Sequence, residues 1–231
     1  MRYFLYIFLF VLAACKSNSK QENKPVADLP FWNDVQHFKK QDSISPPPKN
    51  AILLIGSSSF TMWKDVQDYF PGYTIVNRGF GGSTLLDQIR YADDIIFPYQ
   101  PKQIVIYCGE NDLASSDTIT ATMVVDRFRQ LYQIIRGRTK APIMYISMKP
   151  SPSRRHLFQK MREANQSIAL FLGESDILSS ITSKNVYIDV HQKMLNQAGE
   201  PIPEIFLEDS LHMNAKGYSI WQESMKPYLI K

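Results

Sequence analysis

Short apolar runs alternate along the chain with stretches whose apolar positions have helical spacing. The runs predict five strands, at residues 51–55, 73–76, 103–108, 142–148 and 185–190. Helical patterns lie between and after them, at residues 61–69, 83–96, 118–136, 153–172 and 214–228. Such alternation is typical of a parallel sheet with helices on both faces, so the sequence predicts an α/β fold in one domain, residues 31–231.

The first strand is a run of five apolar residues, 51–55, between a proline-rich segment and a serine cluster. A continuous apolar run of this length indicates a central strand that is buried on both faces. Ligands of open α/β sheets bind beyond the carboxyl ends of the strands. Ser57, Ser58 and Ser59 follow this strand directly, so they are candidates for chemistry. Serines at such a turn also cap helices, and only partners elsewhere in the chain can separate the two interpretations.

Asp209 and His212 near the other end of the chain are suitable partners. In a turn, an Asp three residues before a His can bind one imidazole nitrogen and fix the tautomer of the ring. The other nitrogen is then available to accept a proton from a serine hydroxyl. This spacing is weak evidence alone, but together with a serine after the first strand it indicates nucleophilic catalysis.

Two loops after predicted strands could stabilise an oxyanion. Residues 77–84 contain Gly79, Gly81 and Gly82, which allow backbone N–H groups to turn toward a ligand. A plain turn or a phosphate cradle is the alternative, although the loop has neither the Walker pattern nor a G-x-G-x-x-G after the first strand. Asn111 follows the third strand and could donate its side-chain amide, while Asp112 could cap or brace that loop.

Taken together, these segments resemble the SGNH hydrolases, which are also called GDSL-type esterases and lipases. Four separated blocks carry the resemblance in the family's order, at residues 56–58, 77–82, 109–112 and 209–212. The resemblance implies a flavodoxin-like three-layer α/β/α sandwich around a five-stranded parallel sheet. It also implies a serine esterase that needs no metal or cofactor. The implied roles are nucleophile for Ser58, base for His212, orienting acid for Asp209, and oxyanion donors for the amides of Ser58 and Gly82 and the side chain of Asn111.

The chain departs from the family at Ser57, where the family usually has Asp. We expect the hydroxyl of Ser57 to brace the loop in place of the carboxylate. The departure leaves Ser57 and Ser59 as alternative nucleophiles. A thioesterase, lysophospholipase or acyltransferase would use the same residues, and a noncatalytic glycan-binding lipoprotein would keep the fold alone.

The amino-terminal region predicts export and lipidation. Residues 1–14 have a charged start, an apolar segment too short to span a bilayer, and small residues before Cys15. This pattern resembles the lipobox of bacterial lipoproteins, which implies acylation of Cys15. Residues 15–30 are then a lipidated flexible tether, and the predicted location is the cell envelope, at either face of the outer membrane.

The net charge of +4 is modest and the basic residues are scattered, which argues against a nucleic-acid partner. Cys108 is the only cysteine besides Cys15, so we expect a buried packing residue. Lys149 and Arg154 follow the fourth strand and could contact an anionic or sugar substrate, or be solvated loop charges, and His191 could line the cleft. The expected substrate is a short-chain acyl ester, with an acetylated carbohydrate favoured because an envelope lipoprotein meets glycans. The sequence does not predict the oligomeric state.

Overall fold

The computed structural model describes residues 28–178 and 185–231. The predicted signal sequence, Cys15 and residues 16–27 of the predicted tether lie outside the described residues. Five strands form one sheet in the order β2-β1-β3-β4-β5, and every neighbouring pair is parallel. The strands are β1 (Ile52–Gly56), β2 (Ile75–Gly79), β3 (Gln103–Tyr107), β4 (Ile143–Ile146) and β5 (Val186–Ile188).

Strand β1 lies inside the sheet, and alternate side chains from it enter two separate cores. Ile52 and Leu54 belong to one hydrophobic cluster, and Leu53 and Ile55 belong to the other, with all four fully buried. Successive side chains of a strand point to opposite faces, so an unbroken apolar run is what a strand covered on both sides requires. The predicted central strand is therefore confirmed.

Helices cover both faces of the sheet. Helices α1 (Trp32–Ile44), α4 (Leu85–Arg90), α5 (Ala92–Ile95), α7 (Ala121–Arg136) and α8 (Phe158–Leu178) contribute to the core on one face. Helices α2 (Ser58–Thr61), α3 (Val66–Tyr69) and α9 (Ala215–Met225) contribute to the core on the other face, and the short α6 (Glu110–Ala114) follows β3. Within the described ranges, no helix has the length and apolarity needed to cross a membrane.

Helix α1 is held to the sheet by polar and aromatic contacts. Arg78 of β2 pairs with Asp42 of α1, and the hydroxyl of Tyr99 donates to the same carboxylate at 2.5 Å. Just before the helix, the rings of Phe31 and Phe80 lie 5.4 Å apart. A Cβ atom at Gly82 would lie 3.7 Å from the Phe31 ring, so the chain enters the domain beside that glycine.

The α/β class and the five-stranded parallel sheet with helices on both faces are confirmed, while several predicted boundaries are wrong. Strand β2 extends to Gly79, so residues 77–79, predicted as a loop, pair with β1. The predicted helix at 61–69 is two short helices, α2 and α3. Helix α1 was not predicted, because few of its positions are apolar and Val35 alone is fully buried.

Candidate active site

The candidate site lies where the chain leaves β1 in the sheet. Strand β1 pairs with β2 on one side and β3 on the other, so the connections from these strands diverge at their carboxyl ends. This is the switch point at which open α/β sheets bind ligands. Ser58 is the first residue of α2, directly beyond the end of β1. The loops that follow β2 and β3 lie beside it.

Close packing of β1 against β3 fixes the turn before Ser58. Gly56 has φ 139°, and a Cβ atom there would lie 1.9 Å from the carbonyl oxygen of Tyr107. Only glycine fits this approach. The amide of Ser57 donates to the same carbonyl at 3.1 Å, and the carbonyl of Ser57 accepts from the amides of Phe60 and Thr61.

The expected bracing contact of the Ser57 hydroxyl is not found, because the hydrogen bonds of Ser57 among the described residues come from its backbone. A small polar side chain suffices at this position since the main chain already holds the turn. Ser59 is also unsuited to react. Its hydroxyl is buried and has no hydrogen-bond partner in the described part of the chain.

Ser58, His212 and Asp209 form a continuous chain of hydrogen bonds. Nε2 of His212 lies 2.9 Å from Oγ of Ser58, and Nδ1 of the same ring lies 2.6 Å from Oδ2 of Asp209. The other carboxylate oxygen of Asp209 accepts from the amides of Leu211 and His212, at 2.9 Å each. Since a carboxylate only accepts, Nδ1 carries a proton and Nε2 can accept one from the serine.

The electrostatics of Asp209 keep it ionised. Partial burial raises the pKa of this carboxyl, but hydrogen bonds from the His212 ring and from the amides of His212 and Leu211 outweigh burial and lower the pKa to about 2. The folded form therefore gains stability from this carboxylate above its ordinary pKa near 3.8 and loses it as the pH falls through about 2. At neutral pH a negative charge faces the imidazole, which is what a developing imidazolium requires.

The loops after β2 and β3 meet beside Ser58. Nδ2 of Asn111 donates to the carbonyl of Ser83 at 3.1 Å, which fixes the amide and leaves its second hydrogen for another acceptor. Gly82 has φ 82°, a conformation that favours glycine and turns the local N–H groups. A Cβ atom at Gly81 would lie 3.8 Å from Cβ of Ser58, so this loop passes close to the serine.

Asp112 braces these two loops, as one of the sequence interpretations predicts. The side chain is fully buried, and its two oxygens accept from the amide of Leu85 at 2.9 Å and from Arg127 at 2.8 Å. Burial raises the pKa of Asp112, although both hydrogen bonds oppose that rise. The contact ties α6, which carries Asn111, to the start of α4.

The structure separates the two cations predicted to contact substrate. The side chain of Lys149 is 2% exposed, and its Nζ lies 2.8 Å from Oε2 of Glu110. The prediction that Lys149 contacts substrate is therefore wrong, and so is the alternative that it is a solvated loop charge. Arg154 lies in the 3₁₀ helix Pro152–Leu157 with a side chain that is 26% exposed, and its Nε is 3.9 Å from Oε1 of Glu110. A substrate contact by Arg154 remains a prediction.

His191 lies apart from Ser58 and His212. Its ring is buried, Nδ1 lies 3.0 Å from the carbonyl of Met148, and it borders a cavity of about 340 Å³ whose lining comes from α8 and the region of β5. Burial lowers the pKa of His191, and the bond to Met148 opposes this only in part. Cys108 is buried as expected, and burial raises the pKa of its thiol.

Two residues beside the segment that carries Asp209 and His212 had no predicted role. Glu110 was noted only within its motif, and Ser151 was given no role, yet the Ser151 hydroxyl lies between Glu110 and the carbonyl of Leu211. A Glu shortly after one predicted buried strand and a Lys directly after the next are the signal that could have indicated the ion pair of Glu110 and Lys149. In the described ranges, no group of three or more His, Cys, Asp or Glu side chains is placed to hold a metal ion.

Comparisons with solved structures find the same fold in other proteins. A GDSL-like lipase from Bacteroides thetaiotaomicron is 17% identical with a TM-score of 0.66, over 84% of this chain and 95% of that one. A lipase/acylhydrolase from Enterococcus faecalis is 16% identical with a TM-score of 0.59, over 78% and 97% of the two chains. A catalytic mutant of an acetylxylan esterase from Geobacillus stearothermophilus is 13% identical with a TM-score of 0.60, over 78% and 94%. These likenesses show a shared fold.

No curated protein matches the chain. The model of the GDSL-like lipase/acylhydrolase family, however, matches residues 55–220, which include the end of β1, strands β2 to β5 and both the Ser58 and His212 segments. This is well over half of the chain. The chain therefore belongs to the GDSL-like lipase/acylhydrolase family, whose members are also called SGNH hydrolases, and is a carboxylic ester hydrolase.

Proposed function

We propose that the enzyme hydrolyses a short-chain acyl ester, in particular an acetyl group on a carbohydrate, with Ser58, His212 and Asp209 as its catalytic triad. The observation that carries the proposal is the hydrogen-bonded series from the Ser58 hydroxyl through both nitrogens of His212 to Asp209, at 2.9 and 2.6 Å. Residues that are 154 positions apart meet within hydrogen-bond distance. A base oriented by a third group is the arrangement that activates a serine nucleophile.

The reaction follows from these contacts in two steps. Oγ of Ser58 attacks the ester carbonyl while Nε2 of His212 takes its proton, and the imidazolium then donates that proton to the departing alcohol oxygen. Water next attacks the acyl carbon while Nε2 of His212 takes its proton, and the imidazolium returns that proton to Oγ of Ser58 as the acyl–Oγ bond breaks and the acid leaves. Asp209 holds the N–H tautomer at Nδ1 and stabilises the imidazolium in both steps.

The oxyanion of the tetrahedral intermediate accepts three hydrogen bonds in this proposal. The donors are the backbone amides of Ser58 and Gly82 and the side-chain amide of Asn111. Support comes from the second hydrogen of the Asn111 amide, which its bond to Ser83 leaves unused, and from the left-handed backbone at Gly82. Donors that are fixed before the reaction stabilise the developing charge without reorganising.

The short acyl group and the carbohydrate are the finer part of the proposal. Gly81 and His212 contact Ser58, and the neighbouring Gly82, Ser83 and Asn111 are likewise small or polar, which suits a short acyl chain better than a long one. The fold is also that of an acetylxylan esterase from Geobacillus stearothermophilus. Arg154, with its side chain partly exposed near the same edge, is a candidate contact for sugar hydroxyls.

Covalent labelling tests the assignment of the nucleophile. A fluorophosphonate probe should label the parent enzyme once per chain and should not label Ser58→Ala. Ser59→Ala is the matched control, since it removes a neighbouring hydroxyl that has no partner in the described chain and should label at the parental rate. Labelling that persists in Ser58→Ala and disappears in Ser59→Ala would move the nucleophile to Ser59.

A substrate series tests the acyl and carbohydrate parts. Nitrophenyl esters from acetate to decanoate should show the highest kcat/KM at acetate, and acetylated xylan, pectin and peptidoglycan fragments should release acetate. Added alcohols or sugars should leave acetate as the main product, because water is the proposed acceptor. A preference for decanoate, or transfer of most acyl groups to the added acceptor, would replace the proposal with a lipase or an acyltransferase.

Lipid attachment at Cys15 and a location in the cell envelope remain a separate proposal. It is supported by the apolar segment and the small residues before Cys15 in the sequence. The full-length chain should partition into membranes and incorporate labelled fatty acid, and Cys15→Ser should do neither. Fatty-acid incorporation into Cys15→Ser at the parental level would refute lipidation at this residue.

A further inference from the structure

An ion pair lies buried next to the loops that carry the active site. Nζ of Lys149, after β4, lies 2.8 Å from Oε2 of Glu110, after β3, with the side chains 2% and 5% exposed. The hydroxyl of Tyr107 donates to the same carboxylate oxygen. Removing two charges from water is costly, and ester hydrolysis does not use this pair. The pair therefore needs another explanation.

Ser151 connects this pair to the segment that carries the catalytic acid and base. The Ser151 side chain is fully buried, and its Oγ lies 3.4 Å from Oε1 of Glu110 and 3.2 Å from the carbonyl oxygen of Leu211, so its one hydrogen is shared between two acceptors. The amide of Ser153 donates to the carbonyl of Ser210 at 3.0 Å. Two hydrogen bonds from the loop after β4 thus hold consecutive carbonyls directly before His212.

The segment from Asp209 to His212 needs such support. Ser210 has φ 55°, a left-handed conformation that is uncommon for a residue other than glycine. The side chains of Asp209 and His212 are 47% and 19% exposed, so neither is fully enclosed by its neighbours. A strained turn in an open position keeps one conformation only where its surroundings determine it.

We propose that Ser151, held by the ion pair of Glu110 and Lys149, is a positioning residue for the turn that carries Asp209 and His212. The inference rests on the proposed roles of those two residues. Lys149 binds the loop after β4 to the loop after β3, which fixes Ser151 two residues later. Ser151 then fixes the peptide before His212, so that the imidazole stays within reach of the serine nucleophile.

The test compares Ser151→Ala with Ser224→Ala. Ser224 is also a buried serine whose hydroxyl donates to a backbone carbonyl, that of Ile220 at 2.7 Å, but it lies in α9 and contacts no residue of the proposed site. With nitrophenyl acetate, Ser151→Ala should lower kcat by roughly ten- to a hundredfold through misplacement of the imidazole, while KM changes little. The rate of fluorophosphonate labelling should fall by the same factor. Ser224→Ala should keep the parental kcat and labelling rate.

A proton NMR signal provides a readout that a purely structural role would not change. The proton between Nδ1 of His212 and Asp209 should give a low-field resonance in the parent and in Ser224→Ala. In Ser151→Ala it should broaden or disappear while circular dichroism stays parental.

The double variant Glu110→Gln with Lys149→Met tests the ion pair itself. It removes both charges at nearly constant volume and avoids leaving a lone buried carboxylate, which can prevent folding. Its kcat should fall in the same direction as that of Ser151→Ala. A folded double variant with the parental kcat would remove the ion pair from the proposal.

Two outcomes separate this inference from the proposed function. If the fluorophosphonate labels the parent at Ser58 and labels Ser151→Ala at the same rate, the positioning role is overturned and the triad stands. If Ser58→Ala hydrolyses nitrophenyl acetate at the parental rate, the triad is overturned and the positioning role falls with it.

Discussion

Two charged clusters lie at the carboxyl edge of the same sheet, and they differ in their access to solvent. The Asp209 and His212 pair is open, with side chains 47% and 19% exposed. The Glu110 and Lys149 pair is closed, with side chains 5% and 2% exposed. Both are short contacts between a carboxylate and a nitrogen, at 2.6 and 2.8 Å.

The difference shows that a charged residue at the carboxyl edge of the sheet does not necessarily take part in the reaction. Only the open cluster leaves a nitrogen, Nε2 of His212, facing a hydroxyl that a substrate can reach. The closed cluster satisfies its charges internally and acts on the open one through Ser151 in our proposal. Exposure therefore separates reacting groups from supporting groups here.

The largest effect should come from removing the nucleophile in the open cluster. Ser58→Ala should reduce kcat for nitrophenyl acetate by roughly a millionfold, because the acyl-enzyme can no longer form. The melting temperature should remain close to that of the parent, since Ser58 lies in the open cluster and is only partly buried. Steady-state kinetics and thermal unfolding measure the two quantities. A loss of less than tenfold would contradict the assignment.

In the closed cluster the largest effect should be on stability. Lys149→Met leaves the Glu110 carboxylate buried without its cation and should lower the free energy of unfolding by about 3–5 kcal/mol. Lys39→Met is the matched control, since Lys39 pairs with Asp94 at the same 2.8 Å but with side chains 51% and 28% exposed. It should cost about 0–1 kcal/mol. Urea denaturation measures both, and equal losses would remove the distinction between the clusters.

Asn111→Ala tests the proposed oxyanion donor, which directly follows Glu110 of the closed cluster in sequence. It should lower kcat by roughly a hundred- to a thousandfold and leave KM nearly unchanged, because the lost hydrogen bond forms only in the transition state. Asn196→Ala, in a loop that contacts neither cluster, is the control and should keep the parental kcat. Parental turnover by Asn111→Ala on nitrophenyl acetate would mean that Asn111 is not a donor.

The smallest effect concerns pH and the buried His191. Burial lowers the pKa of this ring, so below the ordinary pKa of 6.5 the unfolded chain binds a proton that the folded chain excludes. Stability should therefore fall as the pH decreases from 6.5 toward the lowered pKa. Melting temperatures between pH 8 and pH 5 should decline less in His191→Gln than in the parent. His156→Gln, at an exposed position, should decline like the parent.

The sequence predicted the sheet from local apolar patterns, and the members of the candidate site from four blocks that together resemble the SGNH hydrolases. The apolar run before Ser57 needs two covered faces, and Asp209 and His212 have the spacing that a turn brings together. Helix α1 left a weaker pattern, since Val35 is its one fully buried residue and its attachment also uses the Asp42 and Arg78 ion pair.

The surroundings of Lys149 were not predictable in the same way. Lys149 and Glu110 are 39 residues apart, and their pairing depends on β3 and β4 being neighbours in the sheet. A lysine in a predicted loop gives no local indication that its ammonium is buried. Burial is a property of the packed structure, so the predicted substrate contact was wrong although the strand before it was predicted.

Helix α1 also determines how the enzyme would be presented to its surroundings. The chain enters the described domain at Phe31, whose ring lies beside Gly82, and the ion pair between Asp42 and Arg78 fastens the following helix to β2. Any anchor attached through residues 1–27 would join the domain beside the loop that carries Gly82, at the carboxyl edge of the sheet, rather than at the opposite edge. Since the predicted tether is flexible, its length alone would set how far Ser58 can lie from the anchoring surface.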